Sequence, residues 1–137
     1  MGDRVEKEGA GKKILVVDDK EDSRRLVRKV LTPRGYAVVE AASGEEAIHM
    51  SLTELPDLIL MDVRLPGGID GLEATRRIKA LSQLTHVPIL AVTASVRPED
   101  AQKALDAGCD AFVRKPIEID ELPKLVAEHI RRASAAN

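Results

Sequence analysis

Aromatic side chains are nearly missing from this chain: its 137 residues include no Trp, one Tyr and one Phe. That excludes a base-stacking platform for single-stranded nucleic acid. A surplus of one charge is missing too. Lys and Arg number 21 against 23 Asp and Glu, a net charge of −2, and no basic stripe stands out to hold a phosphate backbone. A single cysteine, Cys109, rules out an internal disulfide and suits a reducing compartment. No apolar run approaches the roughly 20 residues of a membrane span. The opening, MGDRVEKEGAGKK, lacks the apolar stretch of a signal peptide. Together these absences predict a cytoplasmic protein with neither nucleic acid nor membrane as partner.

What is present is an ordinary balance, 44% hydrophobic and 32% charged residues, in a chain long enough for one packed domain. Residues 1–11 read as a disordered N-terminal tail, 12–132 as the domain and 133–137 as a frayed C-terminal tail. Apolar runs rich in Val, Ile and Leu lie at 14–17, 36–39, 58–61, 89–92 and 111–113. Each is too short for a helix and is bounded by turn formers or charges, so each predicts a strand. Helical spacing fills the gaps. Leu26, Val27, Val30 and Leu31 share a face, and Gly35 is placed to stop that helix. Ser43 with Glu46, and Asp70 with Glu73, have the spacing of a capping box. Pro98 suits the first turn of a fourth helix and Gly108 its end. Ile119, Leu122, Val126 and Ile130 form the stripe of a fifth, with Asp120 as its cap and Pro123 in its first turn. Five strands alternating with five helices predict an α/β fold with a parallel sheet covered on both faces.

The residues just beyond the strands carry the chemistry. ILVV leads into Asp18 and Asp19, LILM into Asp62, ILAV into Thr93, and AFVR into Lys115. In a doubly wound sheet these ends share one edge, where ligands bind. Singly, each residue is an ordinary turn former or surface charge. Together they put three carboxylates, a hydroxyl and an ammonium at one rim. Crowded carboxylates repel unless a hard cation lies among them, and Mg²⁺ prefers such oxygen ligands. A transferring phosphoryl group would find Lys115 and Thr93 as partners for its oxygens. Asp62, alone at a middle strand, is the candidate nucleophile for an acyl phosphate, while Asp18 and Asp19 form a paired metal site.

The ordered set VVDD, LILMD, AVTA and VRKP resembles the response-regulator receiver domain of two-component signalling, over about residues 12–132. The resemblance implies a three-layer flavodoxin-like (βα)5 fold with strand order 2-1-3-4-5. It implies that Asp62 accepts a phosphoryl group from a histidine kinase phosphohistidine or a histidine phosphotransferase. Mg²⁺ would be held by Asp19 directly, Asp18 largely through water, Asp62, and the backbone carbonyl of Arg64. Lys115 would contact the phosphoryl group, and Lys115–Pro116 would be a cis peptide. Thr93 and Phe112 would switch together, reshaping the surface of helix 4, strand 5 and helix 5. That surface would then bind a downstream target or a second copy of the chain. Such a domain catalyses only its own phosphoryl transfer and dephosphorylation. With no output domain after the fifth helix, the chain reads as a stand-alone receiver or one cut from a larger protein.

Other readings compete. A Mg²⁺-dependent phosphohydrolase of the haloacid-dehalogenase kind also needs Asp, Thr or Ser, Lys and a carboxylate pair. Its nucleophile, however, sits on the first strand and its acidic pair comes late, the reverse of the order here. A dinucleotide-binding enzyme would want G-x-G-x-x-G after the first strand, which is missing. An interaction module that no longer uses phosphorylation would not need all five key side chains. His49, His86 and His129 lie far apart without metal-ligand spacing; His49 and His129 read as exposed helix residues and His86 as a loop residue. Cys109 reads as a small buried thiol. Arg64 and Ser95, each two residues beyond a site residue, flank the phosphorylation site. Finally, DVRLPGGIDG carries one residue more than the usual Asp-x-x-Met/Leu-Pro-x-Met-Asp-Gly of the family. It reads as a neutral insertion that bulges outward and leaves the metal ligands in place.

Overall fold

The computed structural model describes residues 7–95 and 97–135. Five strands, β1 (Lys13–Val17), β2 (Ala37–Ala41), β3 (Leu58–Asp62), β4 (Ile89–Thr93) and β5 (Ala111–Arg114), alternate with five helices. These are α1 (Glu21–Leu31), α2 (Gly44–Glu54), α3 (Gly71–Lys79), α4 (Pro98–Ala107) and α5 (Glu121–Ala135). The strands form one sheet in the order β2-β1-β3-β4-β5. All four pairings are parallel. This is the flavodoxin-like order that the resemblance implied.

The sheet separates two apolar clusters. Ile14, Val16, Leu58, Leu60, Leu90 and Val92 meet Val27 and Leu31 of α1 and Leu122 and Val126 of α5. Leu15, Val17, Ile59, Met61 and Ile89 meet Ala47 of α2, Ala74 and Ile78 of α3, and Ala104 of α4. Successive strand residues point to opposite faces. A strand covered on both sides is therefore apolar on both, and β3 is apolar and buried from Leu58 to Met61 before it ends on Asp62. β2, at the sheet edge, is only partly covered.

The expected punctuation largely falls in place. Gly35 (φ 100°) and Gly108 (φ 109°) close their helices in the left-handed region. Pro33, which has no amide to donate, lies in the 3-10 turn Thr32–Arg34 between α1 and Gly35. Ser43 Oγ accepts from Glu46 N at 3.1 Å, while Glu46 reaches back to Ala42 N rather than to the cap residue itself. Asp70 accepts from Glu73 N at 2.8 Å and caps α3.

Three expectations need correction. Ile119 does not belong to the stripe of α5. It lies in the turn before the helix and is 56% exposed, whereas Leu122, Val126 and Ile130 are buried. His129 is not exposed: at 9% it lies on the covered side of α5 beside Val126 and Ile130. The third concerns the N-terminal tail from Lys7 on. Gly9 N donates to Arg34 O at 3.0 Å, and a Cβ on Gly9 would sit 2.5 Å from the Tyr36 ring. Residues 7–11 thus form a turn packed on that ring; residues 1–6 lie outside the described residues. At the other end α5 continues to Ala135, and residues 136 and 137 lie outside the described residues.

Candidate functional site

β1 and β3 are neighbours, and their connections leave toward opposite edges of the sheet. Their C-terminal ends therefore open a crevice at the switch in strand order. Asp62 is the last residue of β3 and Asp18 comes directly after β1; each is only 4% exposed. Asp18 N donates to Ala41 O at 3.1 Å, which ties the β1 end to β2. Asp19 is exposed. One carboxylate oxygen from each of Asp18, Asp19 and Asp62 lies within 4.8 Å of the others. Lys115, leaving β5, brings its Nζ to 3.4 Å from Asp62 Oδ2 and 3.6 Å from Asp18 Oδ2. Its backbone is held there by a 2.9 Å bond from Lys115 N to Thr93 O, and the Lys115–Pro116 peptide is cis.

Burial pushes the Asp62 carboxyl above its ordinary value, and the neighbouring Asp18 charge adds to the rise. A hydrogen bond from Arg64 N to Asp62 Oδ1 (3.0 Å) and the Lys115 ammonium act in the opposite direction without cancelling it. Three carboxylates meet one ammonium, Lys115, in this cluster. A donor set made only of carboxylate oxygens fits a hard divalent cation such as Mg²⁺, which takes oxygen ligands and keeps several waters.

Thr93 ends β4, and its Oγ1 accepts from Ser95 N at 3.0 Å. Phe112, in the middle of β5, is partly buried against the cluster that packs on α3 and α4. Thr93 and Phe112 line one cavity of about 330 Å³, with Val63, Ala101 and Ala104 among its walls. The two expected switch residues therefore face the same space, and Arg64 stands at its edge.

His49 and His86 are exposed and lie away from the acidic cluster in the fold, on α2 and in the α3–β4 connection. Cys109 is buried, with its thiol pushed up by burial and Sγ 4.0 Å from Thr75 Oγ1.

Other contacts escape sequence reading. Ser95 Oγ donates to Asp100 Oδ2 at 2.5 Å, and Arg97 Nε donates to the same oxygen at 3.2 Å. These bonds hold the Asp100 carboxyl below its ordinary value. Arg24 Nη1 donates to the backbone carbonyl of Asp18. Gly71 lies so near the end of β3 that a Cβ there would overlap the Asp62 carbonyl oxygen. Only the last leaves a trace in the sequence, as a glycine directly after the Asp70 cap.

Gly67 (φ 68°) and Gly68 (φ 72°) both adopt the left-handed region that favours glycine. Both are exposed, and the next residue is anchored to α2 by a 3.0 Å bond from Ile69 N to Glu45 Oε2. The two glycines therefore share one exposed turn, outside the acidic cluster. Deleting Gly68 is expected to leave Mg²⁺ affinity, measured by isothermal titration, within about twofold of wild type, because small changes in loop length are cheap. A large loss would show that this turn shapes the site.

The comparisons with known proteins agree with the fold. The family profile of the response regulator receiver domain matches residues 14–127. The polar-differentiation response regulator DivK of Brucella ovis is 34% identical over 119 residues, which is 87% of this chain and 96% of that protein. Among solved structures, the Vibrio cholerae chemotaxis protein CheY4 superposes with a TM-score of 0.82 at 32% identity, covering 87% of this chain and 98% of that one. The receiver domain of a sensor histidine kinase from Pseudomonas aeruginosa gives 0.81 at 36% identity over 88% of this chain and 98% of that one. That structure has a magnesium ion coordinated in its active site cleft. The chain belongs to the response regulator receiver family, the signalling modules of two-component systems. Among the described residues no helix is long and apolar enough to cross a membrane.

Proposed function

We propose that this receiver is switched by phosphorylation of Asp62, with a histidine kinase or histidine phosphotransferase as donor. An Asp62 carboxylate oxygen attacks phosphorus. The P–N bond to the donor imidazole breaks, and the imidazole leaves with that electron pair and takes up a proton. The observation that carries the proposal is the meeting of Asp18, Asp19 and Asp62 within 4.8 Å, with Lys115 Nζ 3.4 Å from the nucleophile.

Asp18, Asp19, Asp62 and the backbone carbonyl of Arg64 would hold Mg²⁺. When bound, the ion supplies positive charge to the equatorial oxygens of the phosphoryl group. Lys115 supplies a second cation from the β5 side. Its present partners are Asp62 and Asp18, so it is free to follow a phosphoryl group added to Asp62 without changing its backbone anchor.

Phosphorylation adds close to two negative charges and several acceptor oxygens at the strand end. The Thr93 hydroxyl can donate to one of them while its oxygen still accepts from Ser95 N. A shift of Thr93 changes the wall of the cavity it shares with Phe112. The aromatic ring then has room to move inward, which alters the α4–β5–α5 surface. This is a two-state element biased by local charge, and its output is binding of a protein target or of a second copy. Its place of work is the cytoplasm, where such a phosphodonor acts.

Incubation with acetyl phosphate is expected to label the protein in Mg²⁺ and to leave it unlabelled in excess chelator. Asp19→Asn is expected to weaken Mg²⁺ binding by about tenfold or more, at least the loss typical of groups that only support a ligand. Unchanged metal titration in that variant would count against the site. Steady hydrolysis of external phosphate esters would instead point to an Asp-nucleophile phosphohydrolase.

A further inference from the structure

We infer that Arg24 on α1 and Glu40 on β2 are positioning residues for the Asp18–Asp19 acid pair, holding it in the arrangement that a divalent cation requires. The inference rests on the reading of the acidic cluster as a Mg²⁺ site.

Arg24 spends its guanidinium on two acceptors. Nη1 donates to the backbone carbonyl of Asp18 at 2.8 Å, and Nε donates to Glu40 Oε1 at 2.9 Å. Both side chains are largely covered, with Arg24 17% and Glu40 27% exposed. The pair is therefore less screened than the exposed helix pairs of this protein. Glu40 sits opposite Val16 in the β1–β2 ladder, two residues before Asp18. Arg28 occupies the other carboxylate oxygen of Glu40.

The geometry closes a small ring of contacts around the acid pair. Asp18 Oδ1 accepts from Lys20 N at 2.9 Å, which fixes the turn into α1. One turn into that helix, Arg24 returns to the Asp18 carbonyl, the last peptide oxygen before Asp19. Carbonyl and carboxylate of Asp18 are thus both held, and the Asp18–Asp19 peptide cannot rotate without breaking one of these bonds. The orientation of Asp19 follows from that peptide plane. Loss of a group that orients a ligand in this way typically costs about 10–100-fold in metal affinity.

Charge explains why Glu40 belongs to the device. A lone guanidinium beside the acidic cluster would oppose an incoming cation. Glu40, shared with Arg28, offsets part of the charge of the two guanidiniums and leaves Arg24 its directional hydrogen bonds. Lysine in its place would bring a point charge that cannot span both acceptors.

The test uses the full chain, MgCl₂ titrations by calorimetry, and thermal melts in chelator as a separate measure of folding. Arg24→Met is expected to weaken Mg²⁺ binding by about tenfold. Arg24→Lys should recover only part of that loss, and Glu40→Gln should also weaken binding. The inference is overturned if all three variants bind Mg²⁺ as wild type does, even with lowered melting points, because the pair would then be only a brace between α1 and the sheet. Should Arg24→Met fail to fold, Arg24→Lys and Glu40→Gln decide the matter alone. A wild type that binds no Mg²⁺ would remove the site reading itself, and the inference with it; wild-type binding with unaffected variants removes the inference alone.

Discussion

Asp62→Asn is expected to reduce phosphoryl labelling from acetyl phosphate to background, in Mg²⁺ and at any donor concentration. The amide keeps the shape of the side chain, and its oxygen can still accept from Arg64 N, as Asp62 Oδ1 does now. It is not a nucleophile that can form an acyl phosphate, and it is a poorer metal ligand. Loss of labelling would ordinarily invite the objection that the variant is unfolded, and here the electrostatics answer it. Burial and the Asp18 charge raise the Asp62 carboxyl above its ordinary value. The folded state therefore holds the proton more tightly than the unfolded chain does. Linkage then makes ionised Asp62 a destabilising group at neutral pH, relieved as pH falls through its raised folded-state value. Asn is neutral at every pH. In chelator at pH 7 the variant should melt at or above the wild-type temperature, and the gap should narrow on acidification. A melt well below wild type would contradict the electrostatic description of the site.

Gly71→Ala is expected to destabilise the protein by about 1–3 kcal/mol, the usual range for overpacking. Helix propensity alone says the opposite, since Ala in a helix interior is favoured over Gly by about 1 kcal/mol. The steric term decides the sign. Gly71 begins α3, with its N donating to Val63 O at 3.2 Å. An added Cβ would overlap the Asp62 carbonyl oxygen and lie 2.9 Å from its carbon and 3.0 Å from Val63 Cα. All of these are backbone atoms, so no rotamer change relieves the clash. Either α3 backs away or the end of β3 moves, and the latter carries the nucleophile. The variant should accordingly label more slowly as well as melt lower. A stabilised variant with normal labelling would mean that the close approach of α3 to β3 is not required.

Much of this molecule was legible because parallel, doubly covered strands leave a plain signature. Leu58–Met61 is apolar at every position since both its faces are buried, and the residue that breaks the run, Asp62, stands where the sheet opens. The cluster was legible for the same reason: residues just past the strands of a doubly wound sheet share one edge. Errors arose where one-dimensional spacing says too little. Ile119 continues the period of Leu122, Val126 and Ile130, yet the helix starts at Glu121, and periodicity does not announce its own first residue. His129 departs from its expected exposure because a polar side chain can occupy the flank of a buried stripe. The turn of residues 7–11 depends on the Tyr36 ring, which is remote in sequence. Arg24 was invisible because its partner at Asp18 is a backbone carbonyl, which every residue possesses. Gly71 looks in sequence like any loop glycine, since its need for a bare Cα arises from the Asp62 carbonyl at the end of the preceding strand.

The central claim is that Asp62 carries the phosphoryl group. It is tested most directly by labelling with acetyl phosphate and Mg²⁺, reducing with borohydride, and sequencing the peptides by mass spectrometry. Borohydride converts an aspartyl phosphate to homoserine and leaves an ordinary aspartate intact. Homoserine at position 62 alone is the predicted result. Homoserine at Asp18 or Asp19, or phosphate retained on a histidine or a hydroxyl side chain with residue 62 still aspartate, would contradict the account.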